Sequence, residues 1–238
     1  MKSFLFTLGL KTKLDIRSSE IFITYYGVPL IFFFVMGAVF TSTMPEAKET
    51  LIATMTIFTV TMGAFIGTPS GIIEYIGKDL RKTFRSVGIP LQTILSTTVI
   101  SGFINLSIVA TIIYFTAPMF YNAVQPENLF LFLPGVALFT LATLLLGLLI
   151  GLYGKSSSKV TMLSQAVFLP SMMLSGIMFP SEMLPRPLEI AGLLLPATHG
   201  MKILSSDGIE GVNFAVLAGF ILVALILIGV QLKSLETE

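Results

Sequence analysis

The sequence has no cysteine and no tryptophan, a single histidine and very little charge. Without cysteine there are no disulfides and no thiolate metal sites. With His199 as the lone imidazole and no His-Glu-x-x-His spacing, a zinc centre lacks a ligand set, and no metal site is expected. Asp, Glu, Lys and Arg make up 11% of the 238 residues, whereas a soluble domain carries about 25%. That deficit leaves too little polar surface to face water. Most of the chain must face lipid or its own helices.

What is abundant is apolar sequence, gathered into long runs. Six stretches contain no Asp, Glu, Lys, Arg or His: about 21–43, 51–73, 93–117, 129–153, 160–179 and 212–231. A membrane-spanning helix needs roughly 20 apolar residues, which each run approaches or exceeds. The fifth is the weakest, because Pro170 interrupts it and Pro180 ends it. The expected fold is all-α, with six transmembrane helices forming one domain over residues 1–238. Residues 1–20 read as a cytoplasmic segment with the character of an interfacial helix. They do not read as a signal peptide, since Lys11 and Lys13 directly follow the apolar stretch and no cleavage site precedes Asp15.

The charges between the runs set an orientation. One side of the alternating loops holds Lys2, Lys11, Lys13, Arg17, Lys78, Arg81, Lys82, Arg85, Lys155, Lys159 and Lys233, eleven of the fourteen basic residues. The other side holds Lys48, Arg186 and Lys202. By the positive-inside rule the first side is cytoplasmic, which puts both termini inside. The acidic residues divide six to seven, so they do not choose a side. All six tyrosines lie near run ends, where an amphipathic ring suits the headgroup level.

The loop after the second run is the most patterned. On a helix, Ile73, Ile76, Leu80, Phe84 and Val87 share one face, and Glu74, Lys78, Arg81, Lys82 and Arg85 share the other. Gly88 and Pro90 stop the pattern. Such a helix either lies on the bilayer with its basic face on anionic headgroups, or docks a cytoplasmic partner. In the second run, Gly63, Gly67 and Gly71 are spaced for close helix packing, within the chain or across a dimer seam, and Gly147 and Gly151 repeat the spacing in the fourth. Pro69 can kink the second run. Asn105 and Gln165 are polar at membrane depth, suited either to an interhelical hydrogen bond or to lining a polar route. Gly154-Lys155-Ser156 resembles the end of a phosphate loop, but Leu149 stands where the first glycine is required. No ionisable pair lies in the runs, so they contain neither an aspartyl protease nor a proton relay.

One stretch is more specific. Phe168-Leu169-Pro170 leads to Ser175-Gly176-Ile177-Met178-Phe179-Pro180, then Leu184-Pro185, Leu188, Ile190-Ala191 and Leu195-Pro196-Ala197-Thr198. With six runs and the charged loop after the second, this resembles the type-2 permeases of ATP-binding-cassette (ABC) exporters, and the resemblance covers essentially the whole chain. It implies that 74–90 is a coupling loop seated on an ATPase, with Glu74, Lys78, Asp79, Arg81, Lys82 and Arg85 at the contact. It implies an outer re-entrant hairpin over 180–198, marked by Pro180, Pro185 and Pro196, between helices five and six. It implies a second permease subunit, same or sister, with spans two and five lining the route. ATP and magnesium would sit on a separate ATPase chain, so this chain would bind no cofactor and be no enzyme itself. The cargo expected from uncharged spans is an amphipathic drug, peptide or lipid-like molecule. The setting is a cell membrane, bacterial in design, with no nucleic-acid partner. A membrane enzyme or a scaffold subunit acting on a lipid or peptide is the alternative.

Overall fold

The computed structural model describes residues 9, 19–76, 90–154, 156–179, 183–205 and 211–237. Among these the secondary structure is all helical. In chain order the helices are α1 (Ser19–Phe22), α2 (Val28–Thr43), α3 (Ala47–Met62), α4 (Thr68–Ile76), α5 (Leu91–Tyr121), α6 (Leu129–Tyr153), α7 (Ser157–Leu174), α8 (Arg186–Gly192), α9 (Pro196–Ser205) and α10 (Gly211–Thr237). Five helical stretches among the described residues are long and apolar enough to cross a membrane: Ile23–Thr43, Ala47–Ile73, Leu91–Tyr121, Leu129–Tyr153 and Gly211–Ser234. The chain is therefore a multi-pass membrane protein. The fifth expected run gives α7, which stops at Leu174, short of residue 179. Its Gln165, Lys159 and hydroxyl residues leave it less apolar than the other five.

The first two crossings are each built from two α-helices joined by a wider turn. Between α1 and α2, Ile23–Gly27 form a π turn, in which the Val28 N–H donates to the Ile23 carbonyl. Between α3 and α4, Gly63–Gly67 do the same, with the Thr68 N–H donating to the Gly63 carbonyl. The cause is local. Pro29 and Pro69 have no N–H, and their rings press on the carbonyl four residues back, so the helix opens by one residue instead of breaking. In both places glycine stands two residues before the proline, and it relaxes the backbone there. The prolines inside other helices, Pro118, Pro134 and Pro170, follow Thr116, Phe132 and Phe168, and those helices stay regular.

The second crossing is the centre of the bundle. It is 83% buried over its apolar window, whereas the last is 17% buried and faces outward. α6 packs beside it and runs in the same direction. A side chain at Gly147 would overlap the Ala64 carbonyl, and one at Gly151 would come within 2.7 Å of Ile72 Cβ and 3.2 Å of the Pro69 carbonyl. Without water to drive apolar association, close backbone approach of this kind holds a membrane bundle together. α5 ends where Asn122 adopts a left-handed conformation (φ 51°) and returns its N–H to the Pro118 carbonyl. The next loop meets the start of α3, where the Val124 N–H donates to the Lys48 carbonyl at 2.9 Å.

Candidate functional site

The polar groups inside the bundle gather where the two π turns meet. Tyr25, in the first π turn, is 5% exposed. Its ring fills a slot made by glycines: a Cβ at Gly67 would lie 3.1 Å from the ring, and one at Gly102 3.4 Å from the hydroxyl. Gly63 borders the same slot, shared with Leu106. The Tyr25 and Thr68 hydroxyls are 2.9 Å apart, and the Thr68 hydroxyl donates to the Gly63 carbonyl at 3.3 Å. A continuous line results, from the Tyr25 hydroxyl through the Thr68 hydroxyl to the Gly63 carbonyl, which also accepts the Thr68 N–H of the π turn. The next residue, Tyr26, donates to Asn105 Oδ1 at 2.7 Å, and Asn105 donates to the Ser101 hydroxyl at 3.4 Å. Adjacent tyrosines on the first crossing thus tie it to both the second and the third.

Two of the tyrosines near run ends turn into the bundle. Tyr25 is buried and Tyr26 half-buried, each bonded within the bundle. Their ring edges are apolar enough to pack and their hydroxyls find acceptors, which is what a buried tyrosine requires. Tyr153, by contrast, is 47% exposed at the end of α6.

The glycines of the second crossing do not share one contact. Gly63 and Gly67 take the Tyr25 ring, whereas a side chain at Gly71 would meet nothing within 4 Å. The π turn inserts an extra residue and rotates the helix beyond it, so the four-residue spacing does not keep a single face. The closest backbone approach is instead at Gly147 of α6. Asn105 is 1% exposed and bonded to Tyr26, whereas Gln165 lies on an exposed face of α7 with Met162, Leu169 and Met173.

Glu74 lies in the last turns of α4. Lys78, Asp79, Arg81, Lys82 and Arg85 lie outside the described residues, as do Pro180 and most of 1–20. Pro185 precedes α8 and Pro196 begins α9. The turn between these two short helices is pinned from α9. The Thr198 hydroxyl donates to the Gly192 carbonyl at 2.6 Å, and His199 Nε2 lies 2.9 Å from the Leu193 carbonyl. His199 Nδ1 is 2.7 Å from Asn213 Oδ1 of α10, so the ring bridges the hairpin turn and the last helix. His199 is thus a buried structural link, 6% exposed. Gly154-Lys155-Ser156 marks a helix boundary, where the Ser156 hydroxyl accepts the Lys159 N–H of α7 at 3.4 Å.

Among the described residues no three His, Cys, Asp or Glu side chains come together. The internal arrangement suits mechanical linkage between crossings, not bond chemistry. Sequence reading passed over Tyr25, Tyr26, Thr68 and Gly102. The available signal was the repeated Gly-x-Pro at 27–29 and 67–69.

None of the curated proteins compared with the chain matches it. A family model described as ABC-2 type transporter matches residues 8–206, which takes in every helix up to α9. With its apolar crossings and its short helical pair after α7, the chain belongs to the ABC-2 type transporter family as a membrane permease component.

Proposed function

We propose that this chain is the membrane half of an ATP-driven exporter, paired with a second permease and moved by a separate ATPase that binds the ATP and magnesium. The family match over residues 8–206 carries the proposal. Six crossings with both termini cytoplasmic result if α7 is counted as the fifth. Its 18 residues reach about 27 Å, close to the roughly 30 Å hydrocarbon core. Several loops expected outside lie together in the structure, which supports this alternation: the Val124 N–H bonds to the Lys48 carbonyl, and Ser205 lines the same outer recess as Glu49 and Asn128. The buried α9, set against α3, α6 and α10, supports a re-entrant hairpin. The basic residues of the opposite side support its assignment to the cytoplasm of a bacterial cell.

In this reading α4 and the loop to Pro90 receive the ATPase, with Glu74, Lys78, Asp79, Arg81, Lys82 and Arg85 as the contact. Motion passes up α4 to Thr68 and through Tyr25 into the first crossing. Gln165, exposed at membrane depth, supports burial of the outer face of α7 against the second permease, because an amide facing lipid is costly. Uncharged crossings favour an amphipathic drug, peptide or lipid-like cargo over a small ion.

The test is mild solubilisation of the complex followed by charge reversal at Arg81, Lys82 and Arg85. The ATPase subunit is expected to dissociate while the permease keeps its elution volume. An ATPase that stays bound to the triple variant removes the coupling assignment.

A further inference from the structure

On the side that holds the α2–α3 turn, the structure encloses a cavity of about 460 Å³. Its apolar walls include Phe40 and Met44 from the end of α2, and Ile177 and Met178 from the segment after α7. That segment leaves α7 through Gly176 in a left-handed conformation (φ 81°), which glycine alone adopts freely.

Three polar groups converge on it. Thr54 lines the cavity and is 5% exposed, yet its hydroxyl makes no hydrogen bond among the described residues. Thr61 and Thr143, also buried, return theirs to the carbonyl four residues back, at 2.6 and 2.8 Å, and Thr56, Thr59, Thr140 and Ser164 are sealed without a partner among the described residues; Thr54 differs from all of these in lining the cavity. A buried hydroxyl left unpaired is costly, so an unpaired one facing a cavity points to something that enters. At the rim stand Glu46 and Glu49, both exposed and without an ion-pair partner among the described residues. Among the described residues no basic side chain lines the cavity. The loops expected on this face hold seven carboxylates and three basic residues, so the field around the mouth draws cations.

These features select one kind of ligand. A cavity of this size, mostly apolar with a few convergent polar groups, has the character of a small-molecule site. An anion would meet two carboxylates and no counter-charge. A neutral lipid tail would leave Thr54 and both glutamates unused. An organic ammonium with an apolar body uses all of them: charge at Glu46 and Glu49, a hydrogen bond at Thr54, the Phe40 ring face, and adaptable thioethers at Met44 and Met178. We propose that this cavity is a binding site for amphipathic organic cations. That it opens outward rests on the orientation proposed above; the binding chemistry does not.

The experiment uses the full-length permease in nanodiscs, without an ATPase. The probes are naphthylbutylamine and naphthylbutanoate, which share a skeleton and differ in charge. The amine is expected to bind saturably and the carboxylate not to bind above protein-free nanodiscs. Glu46→Gln with Glu49→Gln is expected to weaken the amine about fivefold, the order expected for two exposed rim charges. Thr54→Phe, which fills the floor, is expected to abolish binding, and Glu46→Asp to retain most of it. Each variant is compared at an unchanged melting temperature, and Glu46→Gln alone serves if the double variant does not fold. Equal binding of the two probes, or amine affinity indifferent to the glutamates, overturns the site. Amine binding that no paired ATPase converts into transport keeps the site and removes only the export reading of its ligand.

Discussion

The second crossing and α7 lie side by side and are built on opposite plans. The second crossing is 83% buried over its apolar window, touches α6 backbone to backbone at Gly147, and takes the Tyr25 ring against Gly63 and Gly67. α7 buries one narrow face, Val160, Ser164, Ser171 and Met172, and exposes Met162, Leu163, Gln165, Leu169 and Met173. One element is finished inside this chain. The other is half finished and presents an amide where lipid would be. Where helices meet in a bilayer, packing quality does the work that water exclusion does in a soluble core. The contrast therefore separates a closely packed centre from a helix that this chain leaves half uncovered.

The largest effect is expected at the backbone contact. Gly147→Leu drives a side chain into the Ala64 carbonyl, which cannot swing aside as a side chain can. The loss should be at least about 3 kcal/mol, the upper end for overpacking, read as loss of the monodisperse solubilised protein. Gly71→Leu is the control on the same crossing, since nothing lies within 4 Å of its Cβ position, and it should change stability by no more than about 0.5 kcal/mol. If the two variants behave alike, the seam is not where the structure puts it.

The next effect tests whether the π turns are joined by packing or by their hydrogen bond. Tyr25→Ala empties the glycine slot and should cost about 3–5 kcal/mol, as removal of a buried aromatic does. Tyr25→Phe keeps the ring and loses the hydroxyl's bond to Thr68, worth about 0.6 kcal/mol inside a membrane bundle. Thermal unfolding in detergent measures both. A phenylalanine variant as unstable as the alanine one would mean that the hydroxyl line, not the ring, holds the crossings.

The crossings were legible because each must satisfy its backbone internally and offer lipid an apolar surface, a demand written into about twenty consecutive residues. Residues 129–153 match α6 end to end for that reason. The contacts of Gly63 and Gly67 were not legible. Their partner is an aromatic ring about forty residues earlier, and no local spacing identifies it. That Tyr25 and Tyr26 turn into the bundle was not legible either, because position near a run end says nothing about which way a side chain turns. The π turns had a local cause in Pro29 and Pro69, but a proline alone did not distinguish them from Pro118, Pro134 or Pro170. Asn105 and Gln165 looked alike in sequence, both amides within apolar runs. One is buried on a tyrosine and the other exposed, and only the packing of α5 and α7 tells them apart.

Gln165 carries the smallest stability effect and the sharpest test of the contrast. Gln165 is exposed and no described residue hydrogen-bonds its side chain, so Gln165→Leu should leave the unfolding of the isolated permease within about 0.5 kcal/mol. Its effect should be on pairing. The chain has no native cysteine, so a single cysteine at Ala166 or Leu169, both exposed on α7, reports proximity to a second copy by cross-linking in the membrane. If α7 faces another permease, replacing the amide with leucine removes a polar contact at that surface and lowers the cross-linked fraction. If α7 faces lipid, the leucine is better tolerated than the glutamine, and the cross-linked fraction stays at background in both. Equal and strong cross-linking in both would mean that pairing runs through the apolar residues alone, with Gln165 turned toward a polar space between the copies. That outcome would keep α7 at the interface and reassign its amide to the route.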